Sequence, residues 1–180
     1  MSKSLDLRLK NAIRSVPDFP KPGIMFRDIT TLLCCPDLMG EAIEALFEPF
    51  AGRTDAIAGI ESRGFLVGAA MAWKHGLPFV PLRKPGKLPA KTWRETYDLE
   101  YGTDALEMHC DGLRPGQRVL IVDDLLATGG TAAAATRLIQ RAECSVSGLA
   151  FLVELSFLKG RGKLEGFPIR TLVVYDSEQG

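Results

Sequence analysis

Asp123 and Asp124 stand together at the end of an apolar run, Val119-Leu-Ile-Val122, and are followed by Leu125-Leu-Ala-Thr-Gly-Gly-Thr131. Gly129 and Gly130 lack a Cβ, so their N–H groups can come close to a phosphate. A helix opening at Thr131 turns unpaired N–H groups and the positive end of its dipole toward the same anion. Thr128 and Thr131 add hydroxyl donors. The two carboxylates repel phosphate and need another partner. A ribose diol can donate to their oxygens; a Mg²⁺ ion held partly through water or sugar oxygens is the other candidate. Carboxylates, then glycines and hydroxyls, describe a site for a ribose carrying a phosphate. No Lys follows the glycines as a Walker A loop requires, and no G-x-G-x-x-G is present.

A second constellation is Glu61-Ser-Arg-Gly64, at another expected strand-to-helix turn. Arg63 offers a planar set of donors suited to pyrophosphate oxygens, although a surface arginine could stand there equally well. Arg83, Lys84, Lys87, Lys91 and Arg94 crowd the stretch from Arg83 to Glu95, against one carboxylate. That stretch has no apolar period and contains Pro85, Gly86 and Pro89. Long irregular loops in compact domains are usually functional, and a mobile basic loop beside a phosphate site reads as a lid that neutralises charge and excludes water. A solvated charged loop is the alternative.

The elements that must position these groups follow from periodicity. Leu5, Leu9, Ile13 and Val16 predict an amphipathic helix from about Ser4 to Ser15, and Pro17, Pro20 and Pro22 then enforce an extended passage to Gly23. Pro36-Asp37 starts a second helix. Asp55 to Ile60 reads as a buried strand, Gly64 to His75 as an apolar helix closed by Gly76, and Phe79 to Leu82 as a strand. Thr96 to Tyr101 and Ala105 to Cys110 read as antiparallel strands joined near Gly102. Arg118 to Val122 is a continuous apolar strand, as expected where both sheet faces are covered. Ala132 to Arg141 is helical, and Val146 to Leu155 and Arg170 to Tyr175 close the sheet. The alternation predicts one α/β domain over residues 1–180, with a mainly parallel twisted sheet flanked by helices.

Composition agrees. Of 180 residues 46% are hydrophobic and 24% charged, and 22 basic residues balance 22 acidic ones. A general nucleic-acid binder would carry a basic excess, so no nucleic-acid partner is expected. No apolar run reaches the ~18 residues of a membrane span, and MSKSLDLRLKNAIRSV lacks a signal peptide's apolar block. The expected location is the cytoplasm, with Cys34, Cys35, Cys110 and Cys144 reduced.

The string from Val119 to Thr131 matches the ribose-phosphate signature of the type I phosphoribosyltransferases. The chain resembles that family along nearly its whole length, most closely its adenine-using members. The matching stretches are Pro17-Asp-Phe-Pro20, Pro22-Gly23, Phe26-Arg-Asp28, Ser62-Arg-Gly-Phe65, Arg83-Lys84, Gly86-Lys-Leu-Pro89, Leu99-Glu-Tyr-Gly102, Val122 to Thr131 and Leu158-Lys-Gly-Arg161. The resemblance implies that adenine and phosphoribosyl pyrophosphate give AMP and pyrophosphate, with Mg²⁺ bound mainly through substrate oxygens near Asp123 and Asp124. It implies a homodimer, and a small hood and flexible lid on the α/β body. Adenine would lie between Phe26 and Leu158, with its edge bonded by the Arg27 backbone. Glu100 would face N7, and Tyr101 would belong to the moving part of the site. Arg63 would bind pyrophosphate, Arg83, Lys84 and Lys87 would begin the lid, and Asp123, Asp124 and Ala127 to Thr131 would hold the ribose and its phosphate. A phosphoribosyltransferase for guanine, hypoxanthine or uracil is the nearest alternative. A regulator that senses phosphoribosyl pyrophosphate would need a DNA-reading domain, for which the ~50 residues before the first sheet strand leave little room.

Overall fold

The computed structural model describes residues 4–98 and 102–178. Five strands form the central parallel sheet in the order β4-β3-β7-β8-β9, with β3 Ala56–Ile60, β4 Phe79–Leu82, β7 Arg118–Leu126, β8 Ser145–Leu155 and β9 Ile169–Tyr175. Both faces are covered at the centre of the sheet, which is why β3 and the start of β7 read as apolar runs rather than as alternating ones. Along β7, Val119 and Ile121 enter one core while Leu120 and Val122 enter the other, as the two-residue pleat requires. On the first face lies α5, Gly130–Arg141, whose Ala132, Ala134, Ala135, Leu138 and Ile139 are buried. On the second lie α1 Leu5–Ala12, α3 Pro36–Phe47 and α4 Arg63–His75. Gly76 ends α4 in the left-handed conformation (φ 64°), the role expected of it.

Three expectations are corrected by tertiary pairing. The first helix stops at Ala12, because Arg14–Val16 (β1) pairs antiparallel with Phe26–Asp28 (β2). A four-residue helix, α2 Thr30–Leu33, follows β2. The basic stretch does not stay irregular to Glu95: β5, Thr92–Asp98, pairs residue for residue with β6, Thr103–His109. Trp93 packs against the core from β5, and Arg83 bridges to Glu107 through two backbone hydrogen bonds of 2.9 and 2.7 Å. Finally, β7 runs past Val122 to Leu126, and α5 begins at Gly130 with Gly129 as its N-cap. Asp123 and Asp124 are therefore inside the strand.

Candidate active site

The carboxyl ends of parallel strands are where an open α/β sheet binds ligands, and here the ends of β3 and β7 are neighbours, with Gly59 opposite Val122. The loop leaving β7 encloses a pocket lined by Asp123, Leu125, Leu126, Ala127, Thr128, Gly129, Gly130, Thr131 and Ala132. Gly129 has φ +77°, and a Cβ there would lie 2.3 Å from the Gly160 carbonyl oxygen. Asp123 and Ala127 to Thr131, six of the predicted residues, thus line one pocket. The structure separates the two carboxylates, however. Asp123 lines the pocket, whereas Asp124 is 5% exposed and pairs with Arg63 Nε at 2.9 Å.

Burial, reinforced by the Asp124 charge, pushes the Asp123 carboxyl well above the usual carboxylate range. Burial raises Asp124 as well, against the pull of Arg63. The first turn of α4 can approach them because residue 64 is glycine. A Cβ there would sit 2.8 Å from both Asp123 Oδ1 and the Val122 carbonyl oxygen.

The basic residues converge on the same end of the sheet. Glu61 accepts the Lys84 N–H at 2.9 Å and Arg83 Nε at 3.2 Å. Burial works against its charged form, but those donors hold its carboxyl below the ordinary value. Lys84 Nζ meets Tyr97 Oη at 2.7 Å and also the Asp104 carboxylate; burial opposes its charge, yet these partners hold its ammonium above the ordinary value. Gly86 N–H donates to Glu107 at 3.0 Å. The irregular part of the basic stretch is therefore residues 84–91, tethered at its start, with Lys87 exposed. Glu61, Asp104 and Glu107 were not singled out in the sequence. Glu61 lies in a quoted motif, but the other two act across strand pairings that no local pattern reveals.

Phe26 sits on β2 with the Phe19 ring edge-on at 5.1 Å and the Arg63 guanidinium 5.0 Å from its centroid. Leu158 ends a short 3-10 turn after β8 and is 39% exposed. The Arg27 side chain is buried: its guanidinium lies 3.8 Å from the Tyr175 ring centroid, donates to the Glu178 carbonyl at 2.8 Å and reaches Ser15 Oγ. Glu100 and Tyr101 lie outside the described residues.

The β1–β2 hood is held by Asp28, which accepts hydrogen bonds from Arg14, the Thr30 N–H (2.9 Å) and the Thr30 hydroxyl (2.8 Å). Arg14 first, then Thr30, lowers its carboxyl from 3.8 to about 2. A depressed carboxylate contributes stability that is complete above its unfolded value and is lost as pH falls through the folded one. The melting-temperature gap between the native chain and Asp28→Asn should be steady from about pH 7 to about pH 5 and close toward about pH 2. A gap that persists at that acidity would remove the ion pair as its cause.

Residues 35–172 match the family described as "Phosphoribosyl transferase domain". The adenine phosphoribosyltransferase of Thermosynechococcus vestitus is 58% identical over 168 residues, 93% of this chain and 99% of that protein. The crystal structure of adenine phosphoribosyltransferase from Rhodothermus marinus superposes with a TM-score of 0.91 at 53% identity, covering 95% of this chain and 98% of that one. The Saccharomyces cerevisiae enzyme, solved with adenine and D-2,5-dideoxy-2,5-imino-altritol 1,6-bisphosphate, gives 0.88 at 43% identity over 93% and 98%.

Proposed function

Since the chain belongs to the adenine phosphoribosyltransferases of the phosphoribosyl transferase domain family, we propose that its β7 pocket holds the ribose phosphate and its hood the base. The enzyme transfers the 5-phosphoribosyl group of phosphoribosyl pyrophosphate to adenine, releasing AMP and pyrophosphate, a reaction of purine salvage. The observation that carries the site assignment is the convergence of Asp123, the Gly129–Gly130 turn and the N-terminus of α5 on one pocket.

In the proposed mechanism the Thr128–Thr131 turn and the α5 terminus bind the 5-phosphate. Asp123 accepts from the ribose hydroxyls, and Asp124 holds Arg63 in place. Arg63, Arg83, Lys84 and Lys87 surround the leaving pyrophosphate. Adenine, between Phe26 and Leu158, attacks C1 of the ribose through N9 as the C1–oxygen bond to pyrophosphate breaks. The transition state carries positive charge on the sugar, so stabilising the departing oxyanion is the main electrostatic task. Glu100 accepts the proton from N7 as N9 becomes bonded. No covalent enzyme intermediate is required.

Among the described residues no group of three or more His, Cys, Asp or Glu side chains could hold a metal. One accessible carboxylate beside a phosphate pocket fits Mg²⁺ carried mainly on substrate oxygens and water, with Asp123 and Asp124 nearby. When bound there, Mg²⁺ supplies charge neutralisation to the pyrophosphate.

The lid and the reaction are tested together by limited trypsin digestion. Lys84 precedes Pro85, which resists trypsin, so the segment carrying the exposed Lys87 and Lys91 is the expected cut in the free enzyme. Phosphoribosyl pyrophosphate with Mg²⁺ should protect it, and adding adenine should yield AMP and pyrophosphate one to one. Equal cleavage with and without the ligand would sink the lid, and no AMP would sink the site assignment.

The single domain, the cytosolic location and the homodimer belong to the same proposal. Four free thiols suit a reducing compartment, and among the described residues no helix is long and apolar enough to cross a membrane. An exposed apolar stripe at helical spacing, Leu66, Ala69, Ala70 and Trp73 on α4, is the face offered to a second copy, with Trp73 87% exposed. Sedimentation should give a dimer for the native chain and a monomer for Trp73→Glu; an unchanged dimer in the variant rules this face out.

A further inference from the structure

Gly160 is buried against the phosphate loop backbone to backbone. A Cβ on Gly160 would lie 2.2 Å from the Ala127 carbonyl oxygen and 3.0 Å from the Gly129 nitrogen, and a Cβ on Gly129 would lie 2.3 Å from the Gly160 carbonyl oxygen. Neither position tolerates a side chain while the two segments stay where they are. Ala127 and Gly129 line the phosphate pocket. Leu158, the proposed base contact, is two residues from Gly160 on the same strap.

The strap is fastened at both ends. Ser156 Oγ donates to the Tyr175 carbonyl at 3.2 Å and lies 2.6 Å from Asp176 Oδ1. Lys159 takes the left-handed conformation (φ 55°) between the 3-10 turns Ser156–Leu158 and Gly160–Leu164. Arg161 makes a two-pronged pair with Glu154, both prongs at 2.7 Å, and Glu154 is 5% exposed and also accepts from the Thr171 hydroxyl at 2.9 Å. Leu164 closes the strap in the core under α5.

Two packed backbones in contact behave as a stiff joint, because packed protein interiors have low compressibility and transmit strain. We infer that Gly160, held by the Arg161–Glu154 pair, is a positioning element that couples the phosphate pocket to the base site, so that a ligand on the loop sets Leu158 for the base. The inference rests on the assignment of Leu158 to the base. Coupling of binding free energies is reciprocal, so the base should equally strengthen binding of the sugar phosphate.

The experiment is calorimetric titration of adenine into the full-length enzyme, with and without saturating ribose 5-phosphate. The native chain should bind adenine at least ~5-fold more tightly with the sugar phosphate present, the lower end of typical coupling. Arg161→Ala should reduce that ratio to below about 2-fold, whatever it does to each affinity alone, and Arg161→Lys, which keeps the charge but not the fork, should fall between. Gly160→Ala should abolish the ratio if it folds, and the Arg161 pair keeps the test decisive if it does not. Phe26→Ala, which touches the base but not the strap, should weaken adenine binding with the ratio preserved. A native ratio of one, or an unchanged ratio in Arg161→Ala, overturns the coupling. Failure of the native chain to bind adenine at all, with ribose 5-phosphate bound normally, overturns the base assignment and the coupling with it.

Discussion

Replacing Asp123 and Asp124 together with asparagine should lower turnover at saturating substrates by about 10–10²-fold, with the fold intact. Each hydrogen bond to a charged acceptor is worth ~1.5–3 kcal/mol, and ~1.4 kcal/mol is tenfold in rate. The two residues are neighbours, so their separate effects will not add simply. Both carboxyls already bear a burial cost, and asparagine matches their shape without that charge, which is why folding should survive. Arg63 loses its partner, but its side chain is 34% exposed and not left stranded. The measurement is kcat beside a thermal melt. Near-normal kcat in a folded double variant would remove the pair from the mechanism. Because Asp123 lines the pocket and Asp124 only braces Arg63, Asp123→Asn alone should act mainly on the ribose, and Asp124→Asn alone mainly on the apparent affinity for phosphoribosyl pyrophosphate.

The second large effect is on the base. Adenine should be used and hypoxanthine refused by a factor of up to ~10⁴. Adenine presents an amino donor at C6 and a bare acceptor at N1, which a backbone carbonyl and N–H at Arg27 would match. Hypoxanthine places a carbonyl at C6 and a proton on N1, turning two hydrogen bonds into two repulsions. Each buried group left unpaired costs ~1–3 kcal/mol. Initial rates with adenine, hypoxanthine and guanine at equal concentration decide it, and comparable rates for adenine and hypoxanthine would falsify the proposed base contacts. The buried guanidinium of Arg27 adds a point the sequence did not show. Its side chain ties the hood to Tyr175 and Glu178, so Arg27→Ala should weaken adenine binding while leaving the choice of base unchanged.

What the sequence determined by itself is whatever short-range pattern encodes. The apolar run before Asp123, the Gly129–Gly130 turn and the alanine-rich helix after it are contiguous, so strand, loop and helix were legible as one unit. The central strands were legible for a similar reason, since burial on both faces makes β3 and the first half of β7 unbroken apolar segments. Tertiary structure decided whatever depends on residues far apart along the chain. Thr92 became a strand residue because His109 lies opposite it, which shortened the irregular basic stretch. Arg14–Val16 left the first helix because β2 lies beside it. Asp124 was drawn behind the pocket by Arg63, some sixty residues earlier, and Gly160 owes its place to a backbone it meets only in the folded chain. Helical and strand periodicity arise from each residue's own backbone and neighbours, whereas pairing, ion-pair choice and close backbone approach are set by which distant segments the core brings into contact.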